Sequence, residues 1–402
     1  MKARAGIKRP VIEERMVETI WGTQLLALAP TFCDSRAGDD RIPLPRKPEW
    51  LLHHHHDKLQ QLGAFLLSDK NGFKGFAPFL VQNRRLKCFV GELNVLSFGL
   101  RCVRFLGTPD FPADNSVFDQ LLMRAVELNG VHGIFFECLR TDSFLWSYLQ
   151  HSTMTRKLMP YIPQKPVEHF LISMPASFDE YMGKFSSKTR NTLLRRIRKL
   201  ERAVEGKLRL ERITEESQVD EFVNNAVTIS KKTYQWHLLG LGLREPDRMK
   251  TDLKFQTGRG WARCYLLWCD KTPTAFMLCR QDHVACYYID VGFDPDWTQY
   301  SAGTVLQLLV LQDLFMFNKP AVFDFGSGAG EHKRLFGNMS YEEADVYLFQ
   351  RKPYPLLACV VNRAVSGASA SVVRLLDRVG LKRTIKKLIR RSSVAQASET
   401  FK

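Results

Sequence analysis

The sequence predicts an α/β protein of two lobes, each a mixed sheet with flanking helices, followed by a basic helical tail. Three observations lead there. Apolar runs of strand length alternate with segments of helical periodicity through most of the 402 residues. A strand-turn-strand pattern occurs twice, as GAFLLSDKNGFKGFAPF from Gly63 and CYLLWCDKTPTAFMLC from Cys264, so one unit is repeated. The composition is that of a globular chain, 45% hydrophobic and 25% charged, which excludes a disordered chain, a coiled coil and a collagen-like repeat. The expected divisions are a flexible arm over 1–12, a first lobe over 13–165, a second over 166–352 and a basic amphipathic tail over 353–402.

The elements follow in order. Asp69-Lys70-Asn71-Gly72 has turn chemistry between two aliphatic runs and predicts a hairpin. SVFDQLLMRAVELN places apolar side chains at helical spacing, with Ser116 or Asn115 as the cap. GIFFECL and HFLISM read as buried strands. Phe178–Arg202 reads as one helix, with Leu193, Ile197, Leu200 and Val204 on one stripe and six basic residues on the other face. Three strands from Trp261 to Phe293 form an antiparallel meander. Thr304–Phe317 is apolar almost all round and predicts a buried helix, followed by strands AVFDFG and DVYLFQR.

Charge narrows the function. The net charge is +16, and two segments carry it: 184–212, with 11 basic and 3 acidic residues, and 351–402, with 12 and 2. Nucleic acid, an anionic ligand or an anionic membrane each suits such a distribution. No apolar run is long enough to span a bilayer, and the first 15 residues have no signal-peptide core. Nine cysteines without a CxxC pair predict reduced thiols in a cytoplasmic protein, with no zinc framework.

Four motifs carry candidate chemistry. Ser301-Ala302-Gly303-Thr304 opens the buried helix after a polar loop; its small residues suit an anion at the helix N-terminus, or simple packing. FDFGSGAGEHK puts an acid at a strand end before three glycines. Alone it suggests an S-adenosylmethionine-dependent methyltransferase, but the 72 residues after Gly330 are too few for the rest of that fold. His53–His56 lack acidic or cysteine partners at ligand spacing, so no metal is expected. Tyr234, Trp236 and His237 line a substrate cleft or belong to the core.

In order, SSKTRNTLLRRIRKLER, Thr233-Tyr234-Gln235-Trp236, the meander, YSAGTVL, FDFGSG and HKRLFGN resemble the Fem-like, CelD-like branch of the GNAT acyltransferase superfamily. The resemblance runs roughly from Glu13 to Arg351 and is strongest from Ser186 to Asn338. It implies two GNAT-like lobes, the second taking acyl-CoA, with acetyl-CoA as the expected cosubstrate. It also implies a role in polysaccharide or cell-envelope synthesis. The thioester arm is then expected along Tyr287–Phe293, with Tyr288 and Asp290 in contact, and the pyrophosphate at Gln299–Thr304. The family's pyrophosphate loop is richer in Arg and Gly than this one, and His332 stands where a Tyr often precedes the lysine.

Acyl transfer of this kind needs a proton acceptor for the attacking amine or hydroxyl. Asp324 is the first candidate and His332 the second, while Lys333 is a candidate to stabilise a phosphate or carbonyl oxygen. An Asp324–Lys333 ion pair is the structural alternative. Aminoacyl-tRNA as donor, or RNA binding by the basic helix, is the competing expectation. The helix lacks aromatic residues between its cations, which argues against nucleic acid. In the tail, VVRLLDRVGLKRTIKKLIRR mixes an apolar stripe with eight cations. It predicts peripheral attachment at an anionic membrane, or a solvated helix packed on the catalytic lobe.

Overall fold

The computed structural model describes residues 16–22, 24–25, 43–70, 72–91, 93–233, 243, 245–328 and 330–378. The 1–12 arm, the Tyr234–His237 cluster and the tail beyond Arg378 lie outside them. The chain divides into two compact units. One contains Pro45–Pro166 and Glu342–Ser371, the other Val167–Tyr341.

The first unit begins with β1 (Met16–Trp21), α1 (Pro48–His55), β2 (Leu62–Asp69), β3 (Gly72–Val90) and β4 (Leu93–Phe105). Next come α2 (Asn115–Glu127), β5 (Gly133–Arg140), α3 (Phe144–His151), α4 (Thr153–Lys157) and β6 (Leu158–Tyr161). The second unit holds β7 (Val167–Ser173), α5 (Phe178–Gly183), α6 (Ser187–Ala203), β8 (Leu208–Ile213), α7 (Glu216–Lys232) and α8 (Pro246–Thr257). It continues with β9 (Ala262–Cys269), β10 (Thr272–Gln281), β11 (Ala285–Phe293), α9 (Ala302–Met316), β12 (Val322–Ser327) and α10 (Glu331–Phe336). The chain then runs into β13 (Met339–Gln350) and α11 (Pro353–Arg378).

Strand order in the first unit is β1-β2-β3-β4-β5-β13, with β6 also on β13; in the second it is β7-β12-β11-β10-β9-β8. In each unit one neighbouring pair is parallel, β4 with β5 and β11 with β12, and each of those pairs is joined through a helix. The other pairs are antiparallel. This is the mixed α/β architecture expected, and the duplicated strand-turn-strand pattern falls on β2-β3 and β9-β10.

Local chemistry accounts for the elements and for the departures from expectation. The hairpin between β2 and β3 turns at Gly72, whose φ of +99° favours glycine. Helix α2 is capped one residue earlier than expected, by Asp114, which accepts from Ser116 N at 2.9 Å. The single helix expected over Phe178–Arg202 is two helices. Ser186 leaves the helical conformation and its hydroxyl caps α6 by accepting from Thr189 N at 3.3 Å.

Alternation along the meander splits the second core in two. Tyr265, Leu267 and Met277 pack with Leu200, Val305 and Leu306 on one face; Leu266, Phe276 and Leu278 pack with Phe222 and Leu253 on the other. Helix α9 is buried nearly all round.

The expected division at 352 differs from the structure. From Glu343 to Phe349, β13 pairs with β5, so DVYLFQR belongs to the first unit. The backbone edge of this run is paired by GIFFECL, the other buried strand. The start of the expected tail is also built into that unit. Ala358 and Cys359 are buried beside Leu86, Leu100 and Phe135, and Asn362 donates to Lys87 O at 2.9 Å. Among the described residues no helix is long and apolar enough to cross a membrane.

Candidate active site

Strands β11 and β12 pair only over Ala285–Tyr287 against Val322–Asp324. Beyond Tyr287 the strands part, and β11 carries a bulge opposite Leu278 and Cys279 that skips Ile289. Along Tyr288–Phe293 that edge of β11 therefore has no strand partner among the described residues, and the Val291 amide bonds instead to Asp290 Oδ1 at 2.8 Å. The opening leads into a cavity of about 610 Å³ lined by Tyr288, Val291 to Phe293, the start of α9, Gln307 and His332.

The cavity ends at the start of α9. Ser301 takes a left-handed conformation (φ 58°, ψ 43°) and no side chain caps the helix. Among the described residues, the amides of Ala302 and Gly303 find no backbone partner, whereas those of Thr304 and Val305 bond to Ser301 O. Ala302 is buried, so the Gly303 amide is the donor that borders the cavity, and the dipole at this helix N-terminus favours an anion. Two cations of α6 stand beside it. Arg196 lines the cavity and donates to Thr304 Oγ1 at 3.3 Å. Lys199 donates to Gln299 O at 2.8 Å and lies 5.2 Å from the Tyr300 ring centroid. The loop between strand and helix is itself anchored: Asp294, buried, pairs with Lys232 at 2.6 Å and accepts from Asp296 N.

At the other end stands His332, at the start of α10. Burial, and then the charge of Lys333, holds its imidazole below the usual value. The ring is therefore neutral at pH 7 and able to accept a proton. Burial pushes the Tyr288 phenol well above its usual range, so it stays a neutral hydrogen-bonding group.

Residues 187–334 match the family model described as an acetyltransferase (GNAT) domain. The matched segment of this chain runs from α6 into α10 and contains every lining residue of the cavity but Phe336. Among solved structures, one titled as FemX superposes with a TM-score of 0.56 at 11% identity, covering 85% of this chain and all of that one, a likeness of fold. A tandem GNAT protein from the clavulanic acid biosynthesis pathway is similar at a TM-score of 0.45 and 10% identity, covering 85% of this chain and 99% of that one. The C-terminal domain of a putative lysylphosphatidylglycerol synthetase from Agrobacterium fabrum gives a TM-score of 0.45 at 16% identity, covering 74% of this chain and 88% of that one. No curated protein matches the sequence.

Within the matched segment, Tyr288, Ser301, Gly303, Thr304 and His332 line the cavity, and Ala302 lies buried at the helix start. Three expected site residues are placed elsewhere. Asp290 faces a second cavity on the other side of the sheet. Asp324 lies on the opposite side of β12 from the buried Phe323 and Phe325. Its Oδ1 is 2.6 Å from His169 Nε2 and accepts from Gly326 N at 2.7 Å. Lys333 donates to Gly326 O at 3.0 Å and Ser327 O at 2.8 Å, bracing the glycine turn. Among the described residues no group of three or more His, Cys, Asp or Glu is arranged to hold a metal. His54, in the four-histidine run, stacks on Trp50 at 3.8 Å.

Arg196 and Gln307 were not anticipated as site residues. Arg196 stands three residues after Leu193 and four before Leu200, so it borders the buried stripe of its helix; that spacing was the available signal. Gln307 is a polar residue in a mostly apolar helix, buried where it lines the cavity.

Proposed function

We propose that the second unit is an acyl-CoA-dependent acyltransferase in which an acceptor amine or hydroxyl attacks the thioester directly. The observation that supports it most is the cavity itself, which joins an open strand edge to an uncapped helix N-terminus flanked by Arg196 and Lys199. Its volume is in the range of small-molecule sites. An extended amide-bearing arm pairs with the free edge of β11 much as another strand would. The pyrophosphate then meets the start of α9 at Gly303, where helix dipole and cations act together. The reacting carbonyl lies toward Tyr288 and His332. His332 takes the proton of the nucleophile, and backbone N–H groups at the β11 bulge face the oxygen on which charge develops. Acetyl is the acyl group proposed. An acceptor from polysaccharide or cell-envelope synthesis rests on the sequence resemblance alone.

The test is calorimetric titration of the full chain with acetyl-CoA, paired with thiol release on addition of acceptors. Micromolar binding that weakens with salt supports the reading; no binding in a folded protein overturns it. A second reading has one observation in its favour: Arg195, Arg198 and Lys199 are exposed on α6, next to the cavity. A polyanionic donor such as aminoacyl-tRNA would use that face. RNA binding with a steep salt dependence, in place of acetyl-CoA binding, would favour it.

A further inference from the structure

Helix α11 is apolar on both of its sides. One side carries Pro355, Ala358, Cys359 and Asn362, all buried in the first unit. Hydrogen bonds fasten the helix along the β3–β4 hairpin. Tyr354 donates to Gly99 O at 3.2 Å, Asn362 to Lys87 O at 2.9 Å, and Gly91 N to Ser369 Oγ at 2.8 Å. The other side faces solvent. Leu356, Leu357, Val360, Ala364 and Ala368 are all exposed and fall within about a third of a turn, opposite the buried side. The three largest are 51%, 55% and 57% exposed. From Pro353 to Ser371 the only charged residue is Arg363, whose guanidinium lies 5.2 Å from the Tyr161 ring centroid. A surface helix ordinarily turns charged or polar residues to water; one that is apolar all round has something covering its second face.

The surroundings of this face are cationic. The hairpin brings the exposed Arg85, Lys87 and Arg101 against one acid, Glu92. Its turn, fastened to Ser369, adds the exposed apolar residues Val90, Val95 and Leu96. The chain after Ser371 carries eight lysines and arginines from Arg374 to Arg391 against Asp377 alone. Charge decides between occupants. Two copies packed through this face would bring their cationic segments together, and like charges oppose that. An anionic bilayer meets both properties at once: the headgroup–acyl boundary takes the apolar side chains, and the lipid phosphates take the cations. It also requires no complementary shape from a single helix face.

We propose that the first unit docks on an anionic bilayer through the solvent face of α11. Leu356, Leu357 and Val360 enter the headgroup–acyl boundary, and the cations of the hairpin and of the chain after Ser371 hold the lipid phosphates. The docking element is thus a folded helix fastened to the first unit's sheet, rather than the basic segment by itself. No residue of it belongs to the matched segment 187–334, so the proposal is independent of the acyltransferase reading.

The test mixes the full chain with vesicles of phosphatidylcholine, alone or with an equal part of phosphatidylglycerol, and reads binding by flotation. The wild type should bind the anionic vesicles, less so as salt rises, and bind phosphatidylcholine at least about tenfold more weakly. Leu356→Gln, Leu357→Gln and Val360→Gln, made together, should weaken binding to anionic vesicles about 100-fold. The melting temperature should hold, because the three side chains face water and glutamine suits a helix. Met123→Gln, at an exposed apolar position of α2, should change nothing. In Leu357→Trp, brominated acyl chains in anionic vesicles should quench the added fluorescence. Absence of wild-type binding overturns the proposal. So does a triple variant that binds like the wild type, or an unquenched Leu357→Trp, either of which would leave the basic segment as the sole attachment. Self-association of the wild type without vesicles, lost in the triple variant, would make this face an interface between copies and overturn it as well.

Discussion

The two units share a run of five strands, β1 to β5 and β8 to β12, with one parallel pair at the same place, and differ where those two strands part. In each, a parallel pair ends after three registered residues: Cys102–Arg104 with Gly133–Phe135 in the first, Ala285–Tyr287 with Val322–Asp324 in the second. The next residue on each strand is aromatic in both. In the first unit Phe105 and Phe136 stack 5.0 Å apart with planes 7° from parallel, filling the place where the strands part. In the second, Tyr288 and Phe325 sit 5.8 Å apart at 59°, and Tyr288 turns to line the cavity. The helices that follow differ likewise. Asp114 puts its own carboxylate on the start of α2, accepting from Ser116 N and Oγ at 2.9 and 2.8 Å. Ser301 leaves the start of α9 uncapped, with cations beside it. One unit has satisfied its helix N-terminus internally, and the other leaves it without a side-chain cap, the arrangement the proposed anion site needs. Duplication of a fold does not duplicate a site; a cap and a ring pair are enough to remove it.

The comparison is most easily broken at Gly303. Gly303→Glu gives α9 the internal carboxylate that α2 already has. Acetyl-CoA affinity should fall about 100-fold, with the melting temperature little changed because an acid in the first turn suits the helix. Calorimetry on the folded variant decides it, and an unchanged Kd would remove this helix start from the site.

His332→Gln should lower kcat about 100-fold and leave the donor Kd alone. Because burial holds the imidazole below about 6.5, its base form persists into mildly acidic solution, and activity is lost only as the pH falls through that lowered value. The acid limb of kcat/KM should therefore lie below 6.5 and vanish in the variant. A limb above 6.5 would point to another base.

Asp324→Asn removes the partner of His169 and should cost about 1–3 kcal/mol, seen as a lower melting temperature. The protein that remains folded should keep its turnover. A large loss of kcat at unchanged stability would return Asp324 to the chemistry.

The smallest effect belongs to the first unit. Asp114→Ala removes a helix cap worth about 1 kcal/mol, a shift of a few degrees in melting temperature. Acetyl-CoA affinity should not move, and a gain or loss would mean that the first unit also takes part in donor binding.

Much of the fold was legible because it is local. The meander follows from alternation and short turns, and α9 from an apolar run too long for a strand. Its unusual start was visible as four small residues after a polar loop. What escaped depends on residues distant in sequence. The pairing of β13 with β5 joins residues about 200 apart, and nothing in either strand names its partner. Asp324 stood at a strand end as a base would, but its orientation is set by His169, 155 residues away. The α5–α6 break is local yet was hidden, because Ser186 scores acceptably in a helix and reveals itself only as a cap. Asp290 was read correctly as part of the strand, but the bulge that turns it to the other face has no sequence mark of its own.

Hydrogen exchange of the full chain with and without saturating acetyl-CoA tests the central claim most directly, since it reads both units in one experiment. The account predicts new amide protection along Tyr287–Phe293 and at Ala302–Thr304, with none at the start of α2 after Asp114. Protection at α2, or binding without protection at α9, would contradict it.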